Sequence, residues 1–164
     1  MFKAVMLLFL FLFCSSYGIL KNISVKYRVF NLRKAKELVY MMRNEINFSG
    51  RDLYSVSERL SDSDELGILR YLSNKSFSPS ENYEYAKEKI GKGMFLIKSD
   101  WKILDEFFYS LGSTSREGQI SLCDKSLDLI EKQEEEAENT YLKYSKLYTS
   151  SGILVGLFLV IILI

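Results

Sequence analysis

The chain has 164 residues, about the length of one domain, with 22 Lys and Arg against 21 Asp and Glu. The formal net charge of +1 excludes a strongly basic nucleic-acid-binding protein and a strongly acidic one. The sequence contains no histidine, so it lacks the commonest general base and metal ligand. Cys14 and Cys123 lie in unlike segments and form neither a CxxC motif nor a zinc spacing, so no disulfide framework is expected.

Residues 2–20 form an apolar stretch, interrupted by Lys3 and by Ser15 and Ser16. Such a segment is either a membrane-spanning helix or the apolar region of a signal peptide, and the small residues at 16–18 would tolerate cleavage. One basic residue precedes the stretch, whereas six follow it: Lys21, Lys26, Arg28, Arg33, Lys34 and Lys36. Because positive charge stays on the cytoplasmic side, the pattern predicts an uncleaved span or signal anchor whose N-terminus lies outside.

A long helix is predicted to continue out of this first span. The apolar positions advance in steps of three and four: Val25, Val29, Leu32, Ala35, Val39, Met42 and Ile46. Residues 47–52, which include Gly50, are predicted to end the helix.

Short helices are predicted for residues 51–60, 64–72 and 79–90. The third has the clearest start, because Ser78, Pro79 and Glu81 supply an N-cap, a proline at the first helical position and a capping-box carboxylate. Gly91 to Gly93 should break that helix, and residues 94–97 are the one candidate strand.

A fourth short helix is predicted over residues 100–111, with Ser99 as its N-cap. Its apolar face is aromatic and is expected to be core: Trp101, Leu104, Phe107, Phe108 and Leu111.

The second long helix is predicted to begin at Thr114, which forms a capping box with Glu117 after Gly112 closes the preceding helix. A heptad-like seam follows, in alternating steps of three and four: Ile120, Cys123, Leu127, Ile130, Glu134, Ala137, Tyr141, Tyr144 and Tyr148. Only Glu134 interrupts its apolar character.

This seam leads into a C-terminal span, predicted for residues 147–164. Lys143 and Lys146 precede the span and no charged residue follows, so its N-terminal side should be cytoplasmic. Gly152 and Gly156 form a GxxxG motif, which allows close helix packing in lipid.

The predicted fold is therefore all-α: an antiparallel hairpin of two long helices with a small helical cap, continuous with N- and C-terminal transmembrane helices. The predicted domains are a span at 2–20, a cytoplasmic helical domain at 21–146 and a span at 147–164. The charge patterns at the two ends predict the same topology independently.

An acidic run lies on the second long helix: Glu131, Glu134, Glu135, Glu136 and Glu138. It is expected to be a solvated face, with a docking surface for a basic partner as the alternative. A metal site would need carboxylates from more than one element, so no metal, other cofactor or catalytic residue is predicted. Gly-rich phosphate loops and nucleophile elbows are also missing from the sequence.

The second half of the chain resembles the stage III sporulation protein AB family. Residues 111–119 are similar to the family's L-G-x-S-D-R-E-x-Q, and residues 146–156 to its K-x-Y-x-S-L-G-x-L-x-G before a terminal span. Residues 45–48 match the family's E-I-x-Y more loosely. Ser115 replaces the usual aspartate and Ser151 the usual leucine, and the first change is expected to weaken the helix start slightly.

The resemblance implies a non-enzymatic membrane platform or adaptor in a secretion-like channel between mother cell and forespore, required for endospore formation. It implies a place in the mother-cell membrane around the forespore, similar to the inner-membrane platform protein of type II secretion systems. The implied partners are the lipid bilayer, a cytoplasmic ATPase like stage III sporulation protein AA, and other channel components. Nucleic acid is not an implied partner. Assembly of the chain into a homo-oligomer remains open. The resemblance implies a contact surface for a partner at the residues that match the family motif: Leu111, Gly112, Arg116, Glu117 and Gln119. The alternative is that these residues only cap and pack the turn between the helices.

Two other functions remain open from the sequence. One is a secreted or surface helical protein with a cleaved signal peptide and a C-terminal membrane anchor. The other is a membrane enzyme, which would require the acidic helix to bind a metal.

Overall fold

The computed structural model describes the backbone of residues 2–49 and 52–163, and the side chains of residues 6–48 and 52–162. Within these ranges the chain forms six α-helices and no strand. Their bounds are Phe2–Ser49 (α1), Leu53–Leu60 (α2), Leu69–Leu72 (α3), Pro79–Ile90 (α4), Lys98–Ser110 (α5) and Arg116–Leu163 (α6). The predicted all-α fold with two long helices is confirmed. Gly50 and Arg51, to which the end of the first long helix and the start of the next were assigned, lie outside the described residues.

The chain divides into two compact units. Residues 1–29 and 136–164 form the first unit, and residues 30–135 form the second. The long helices α1 and α6 each contribute residues to both units.

In the first unit, the α1 and α6 segments pack antiparallel. A Cβ added at Gly18 would lie only 3.1 Å from the Cα of Gly152, so the two backbones are in direct contact. One turn further along α1, the Asn22 side-chain amide donates to the Thr149 hydroxyl at 3.2 Å. The absence of side chains at the two glycines therefore sets how closely these segments approach.

Both long helices are apolar enough to cross a membrane. Each contains an 18-residue window with a mean hydropathy of 1.7, of which only 6% is buried within the protein. Large apolar side chains such as Phe13 and Phe158 remain exposed in these segments. The structure thus contains two candidate transmembrane spans, as the sequence predicts.

In the second unit, the predicted apolar face of α1 forms the core. Leu32, Ala35, Val39 and Met42 are at most 1% exposed, and the periodicity prediction for this helix is confirmed. On the facing side of α6, Cys123 and Ile130 of the predicted seam are buried together with Ser126, whereas Leu127 of the seam is only half-buried.

Ion pairs show that the two long helices run antiparallel in the second unit. Arg43 pairs with Asp124, whereas Lys36, seven positions earlier on α1, pairs with Glu131, seven positions later on α6. These pairs border the buried seam.

The core of the short-helix region lies between α4 and α5. Tyr83 is fully buried and stacks on Phe108 with ring centroids 4.6 Å apart. Its hydroxyl donates to Asp105 at 2.8 Å, and Lys87 Nζ lies 2.7 Å from the same carboxylate oxygen. Burial, together with this hydrogen bond to a carboxylate, raises the pKa of the Tyr83 phenol. The aromatic face predicted for α5 is core, although Trp101 is only half-buried.

The predicted helix at 64–72 is wrong over its first half. Only Leu69–Leu72 is helical, and Gly67 adopts a positive φ of 77°. Asp64 is buried because its carboxylate accepts hydrogen bonds from the backbone N–H groups of Leu66 and Leu69, at 2.9 and 2.7 Å. An aspartate that binds nearby backbone N–H groups stabilises a turn in competition with a helix.

Two predictions around the start of α5 are also wrong. Ser99 is not the N-cap: the helix begins at Lys98, and the Asp100 carboxylate accepts from the backbone N–H of Ile97 at 3.0 Å. The candidate strand at 94–97 is irregular, with Phe95 at a φ of 53°. The segment is held from α1 instead, because the Asn31 amide donates to the Met94 carbonyl at 2.7 Å.

The acidic run is not uniformly solvated as predicted. The Glu134 side chain is only 12% exposed and lies between Arg33 and Lys36, at 2.9 and 2.7 Å. Glu134 is therefore a half-buried ion-pair partner on the packed face, whereas Glu135 and Glu136 are exposed.

Candidate docking groove

A groove of about 660 Å³ opens in the second unit where the ends of several helices meet. It is lined by residues from the end of α1, the starts of α2, α4 and α6, and the turn between α5 and α6. These residues are Ile46, Asp52, Leu53, Tyr54, Val56, Pro79, Ser80, Tyr109, Leu111, Gly112, Ser113, Arg116 and Gln119.

The groove has an apolar floor. Ile46, Val56 and Leu111 are 7%, 0% and 4% exposed, respectively, so they belong to the core and present only small surfaces. The tyrosines Tyr54 and Tyr109 also line the groove, and Tyr109 is 46% exposed. Of these residues, Tyr109 therefore exposes the most apolar area in the groove, and Ile46 and Leu111 make small contributions.

The start of α2 fixes one side of the groove. Asp52 is the N-cap, and its carboxylate accepts from the Ser55 hydroxyl at 2.6 Å and from the Ser55 backbone N–H at 3.4 Å. The hydrogen bond from the Ser55 hydroxyl is the main reason that the pKa of Asp52 is lowered from its usual value. The Tyr54 hydroxyl donates to the Phe77 carbonyl at 3.0 Å, which orients its ring.

The start of α4 forms a second side, through Pro79 and Ser80. Here the predicted capping box is confirmed. The Ser78 hydroxyl accepts from the Glu81 backbone N–H, and the Glu81 carboxylate accepts from the Ser78 backbone N–H at 2.9 Å. Hydrogen bonds from Ser78 lower the pKa of Glu81.

The turn between α5 and α6 forms the third side. Gly112 has a φ of 80°, a conformation that favours glycine, and this reverses the chain directly after the buried Leu111. The Ser113 hydroxyl donates to the Ser110 carbonyl at 2.6 Å and tightens the turn. The reversal places Arg116 and Gln119, from the first turns of α6, on the groove.

The capping box predicted at Thr114 and Glu117 is wrong. The helix begins at Arg116, and the Ser115 hydroxyl accepts from the Gly118 backbone N–H at 3.3 Å. Ser115 is therefore the N-cap, at the position where the related motif carries aspartate. Serine and aspartate are about equally good N-caps, so the slight weakening expected at this position concerns only the missing negative charge and stays a prediction.

The structure places the predicted contact residues as follows. Leu111, Gly112, Arg116 and Gln119 line the groove. Glu117 is exposed but is not among the lining residues. Gln119 is half-buried and donates to the Thr114 carbonyl at 3.1 Å, so its amide also stabilises the turn.

Sequence reasoning missed Leu53, Tyr54, Pro79 and Tyr109 on this surface. Tyr109 had a detectable signal, because it falls outside the apolar face predicted for α5 and yet is a large aromatic residue. The others are far away in sequence, and only the fold brings them to the same groove.

The predicted transmembrane glycines Gly152 and Gly156 both lie against α1. A Cβ at Gly152 would be 3.0 Å from the Cys14 carbonyl oxygen, and one at Gly156 would be 3.0 Å from Phe11 Cδ2. Gly18, which sequence reasoning did not select, meets Gly152.

The groove combines apolar and polar groups at one surface. Its lining joins an apolar floor to a rim that includes Arg116, Ser113 and Asp52, the composition found in protein–protein interfaces. Within the described residues, no group of three or more His, Cys, Asp or Glu side chains is placed to hold a metal ion.

Comparison with known proteins gives a consistent result. The sequence model of the stage III sporulation protein AB family matches residues 3–164 of this chain. The stage III sporulation protein AB of Bacillus subtilis (strain 168) is 30% identical over 92 residues, which are 56% of this chain and 54% of that protein. The chain thus spans about half the length of this curated relative.

A solved structure of stage III sporulation protein AB is similar to this chain with a TM-score of 0.62 and 21% sequence identity. The match covers 71% of this chain and 97% of the solved one. It shows a shared fold.

Proposed function

The chain belongs to the stage III sporulation protein AB family, and from this premise we propose that it is a membrane-anchored, non-enzymatic platform of a sporulation-specific, secretion-like channel. Membership in the family implies a role in sporulation. The proposal adds a location in the mother-cell membrane around the forespore, and a cytoplasmic domain that recruits an ATPase like stage III sporulation protein AA.

The two apolar segments support membrane anchoring. They flank the helical region in sequence, and basic residues follow the first segment and precede the second. If both insert, the positive-inside rule assigns residues 21–146 to the cytoplasm, with spans at 2–20 and 147–164. A signal peptide that is cleaved would instead put the domain outside.

The groove is the observation that carries the adaptor function. Its buried floor, exposed Tyr109 and cationic rim residue Arg116 resemble the centre of a protein interface, where aromatic and arginine residues dominate binding. Among the described residues that line it, no nucleophile is hydrogen-bonded to a base. A surface of this kind fits a partner's apolar side chain flanked by polar or acidic groups.

Deleting the gene in its native host tests the sporulation role. We expect normal growth, loss of heat-resistant spores and arrest after engulfment. Wild-type spore counts would contradict a required role. A reporter fused within residues 60–80 tests topology, since cytoplasmic activity supports the platform and activity only outside supports a secreted or surface protein.

Binding of the ATPase tests the groove. Arg116→Glu reverses the rim charge, and Ser80→Trp fills the groove from the α4 side. Each should weaken capture of the ATPase by the full-length chain by tenfold or more, roughly the effect of losing one interface hot spot. Arg70→Glu is the matched control, because Arg70 is also exposed in the second unit but does not line the groove. Equal capture by all variants would exclude the groove as the docking site.

A further inference from the structure

A second groove, of about 400 Å³, runs along the paired apolar segments of the first unit. Phe13 and Val155 line one end, and Lys21 and Tyr148 line the other. The glycines Gly18 and Gly152 also line the groove, at the point where the two backbones are in direct contact. All these residues belong to the same unit, so the groove is a property of the packed helix pair.

The groove is apolar except at one end. Among the described residues that line it, Lys21 is the one charged residue, and it is exposed. Within the part of the chain that the structure describes, Lys21 forms no ion pair. Tyr17 and Tyr148 also line the groove. The lysine and the tyrosine hydroxyls match the polar headgroup of a lipid, and the apolar part of the groove matches its acyl chain.

The length of the groove fits one membrane leaflet. From Tyr148 to Val155 the helix advances about 10 Å at 1.5 Å per residue, compared with about 15 Å for half of a hydrocarbon core. The charged end is the end nearer the helical region in sequence, where a membrane–water interface is expected. An acyl chain in the groove would therefore place its phosphate beside Lys21.

We propose that this groove binds one anionic phospholipid, with an acyl chain lying along the groove beside the helix contact and its phosphate on the Lys21 ammonium group. The inference rests on the proposed membrane insertion of both segments. An anionic headgroup is favoured over a zwitterionic one because Lys21 has no internal counter-ion among the described residues. The bound lipid would tie the protein to membrane regions rich in anionic lipid.

The test uses the full-length chain in detergent micelles, and native mass spectrometry counts bound phosphatidylglycerol and phosphatidylcholine. We expect one retained phosphatidylglycerol per chain and about fivefold weaker retention in Lys21→Gln, the effect of one lysine near an anionic surface. Lys26→Gln is the matched control, since Lys26 is an exposed lysine of the same helix that does not line the groove. Soluble glycerol 3-phosphate should not compete, because it lacks the chain.

A second variant tests the apolar part. Ser151 is an exposed lining residue, and Ser151→Phe would occupy the groove without altering the glycine contacts. It should reduce retention of both lipids.

Three outcomes would overturn the inference: equal retention by Lys21→Gln and Lys26→Gln, no preference for phosphatidylglycerol, or cross-linking of two copies through Ser151→Cys. Flotation of the wild-type chain with vesicles is scored separately. Failure to float would contradict the membrane anchor itself, whereas flotation without specific retention would contradict only the lipid site.

Discussion

Lys36 Nζ lies 2.7 Å from a carboxylate oxygen of Glu134, so a salt bridge joins α1 to α6 at the seam position where the apolar repeat is interrupted. The Glu134 side chain is 12% exposed and the Lys36 side chain 35%, so both are partly shielded from water. Arg33 contacts the other carboxylate oxygen at 2.9 Å. Glu134 thus holds two cations of α1, and a glutamate that breaks a heptad pattern in sequence forms part of the packing in the structure.

We expect Glu134→Gln to lower the free energy of unfolding by about 1–2 kcal/mol, because it removes the partly buried carboxylate that pairs with Lys36 and Arg33 across the two helices. Chemical unfolding of the purified full-length chain measures the change. Glu135→Gln is the control, since Glu135 is exposed and adjacent, and it should change stability by less than about 0.5 kcal/mol. Equal effects of the two variants would show that the ion pairs do not stabilise the helix pair.

The same carboxylate predicts a pH dependence. Burial alone would raise the pKa of Glu134, but the hydrogen bonds from Lys36 and Arg33 outweigh it and lower this pKa below the usual 4.5. The stabilisation is therefore present above pH 4.5 and is lost as the pH falls through the depressed value. The stability difference between the wild type and Glu134→Gln should shrink between pH 4.5 and 3. A constant difference over this range would contradict the assignment.

Lys36 predicts how the stability of the same salt bridge changes at alkaline pH. Its hydrogen bond to Glu134 raises the pKa of the Lys36 ammonium above 10.5, so its contribution is lost only as the pH rises beyond that value.

We expect the start of α6 to depend on Ser115 and not on Thr114. Ser115→Ala should destabilise the protein by about 1 kcal/mol, because the Gly118 backbone N–H loses its acceptor. Ser115→Asp should retain the cap and add a favourable interaction with the helix dipole. Thermal unfolding compares these variants with Thr114→Ala, for which little change is expected. A larger loss of stability in Thr114→Ala than in Ser115→Ala would contradict Ser115 as the N-cap and support the capping box predicted from the sequence.

We expect Gly18 to tolerate substitution least among the glycines of the apolar segments. A Cβ there would lie 2.5 Å from the Tyr148 carbonyl oxygen, and a backbone atom cannot rotate away as a side chain can. Gly18→Ala should therefore separate the helices, at a cost of about 1–3 kcal/mol. Gly156→Ala is the milder comparison, since its nearest contact is the flexible Phe11 side chain.

The separation can be measured by disulfide formation between Asn22→Cys and Thr149→Cys, whose side chains contact each other in the structure. The native cysteines are replaced by serine in this background. Gly18→Ala should slow formation of the monomeric cross-link more than Gly156→Ala does. Cross-links only between copies would contradict the intrachain packing.

Cys123 should be chemically inert while the protein is folded. Its side chain is fully buried, and burial raises the pKa of its thiol from 9.0 to about 11. At pH 8 the thiolate fraction falls roughly a hundredfold, and the thiolate is the reactive form. In a Cys14→Ser chain, iodoacetamide should modify Cys123 slowly in buffer and rapidly in denaturant. Rapid labelling without denaturant would show that the α6 seam opens readily.

Much of the fold was predictable because helical periodicity is a local property. The buried face of α1, from Val29 to Ile46, follows from apolar residues three and four apart. The Ser78–Glu81 capping box is local as well. The helix starts predicted near Asp64, Ser99 and Thr114 were wrong because each segment offers more than one way to satisfy its backbone N–H groups, and periodicity does not choose among them. Asp64 stabilises a turn, the Asp100 carboxylate accepts from the Ile97 N–H, and Ser115 caps α6.

The candidate docking groove was only partly predictable. Arg116 and Gln119 were selected through a resemblance, whereas Tyr54 and Pro79 carry no signal that relates them to the α5–α6 turn. The groove is lined by residues that are distant in sequence, and no local sequence pattern predicts which residues will line it.

By itself the sequence determined an all-α protein with two long helices and an apolar segment at each end, because periodicity and hydropathy depend only on neighbouring residues. The tertiary structure decided the environment of individual polar residues. Glu134 became an ion-pair partner because Arg33 and Lys36 of the other long helix meet its carboxylate and offset the cost of removing it from water. The pairing of Gly18 with Gly152 was decided in the same way, by which backbone lies opposite.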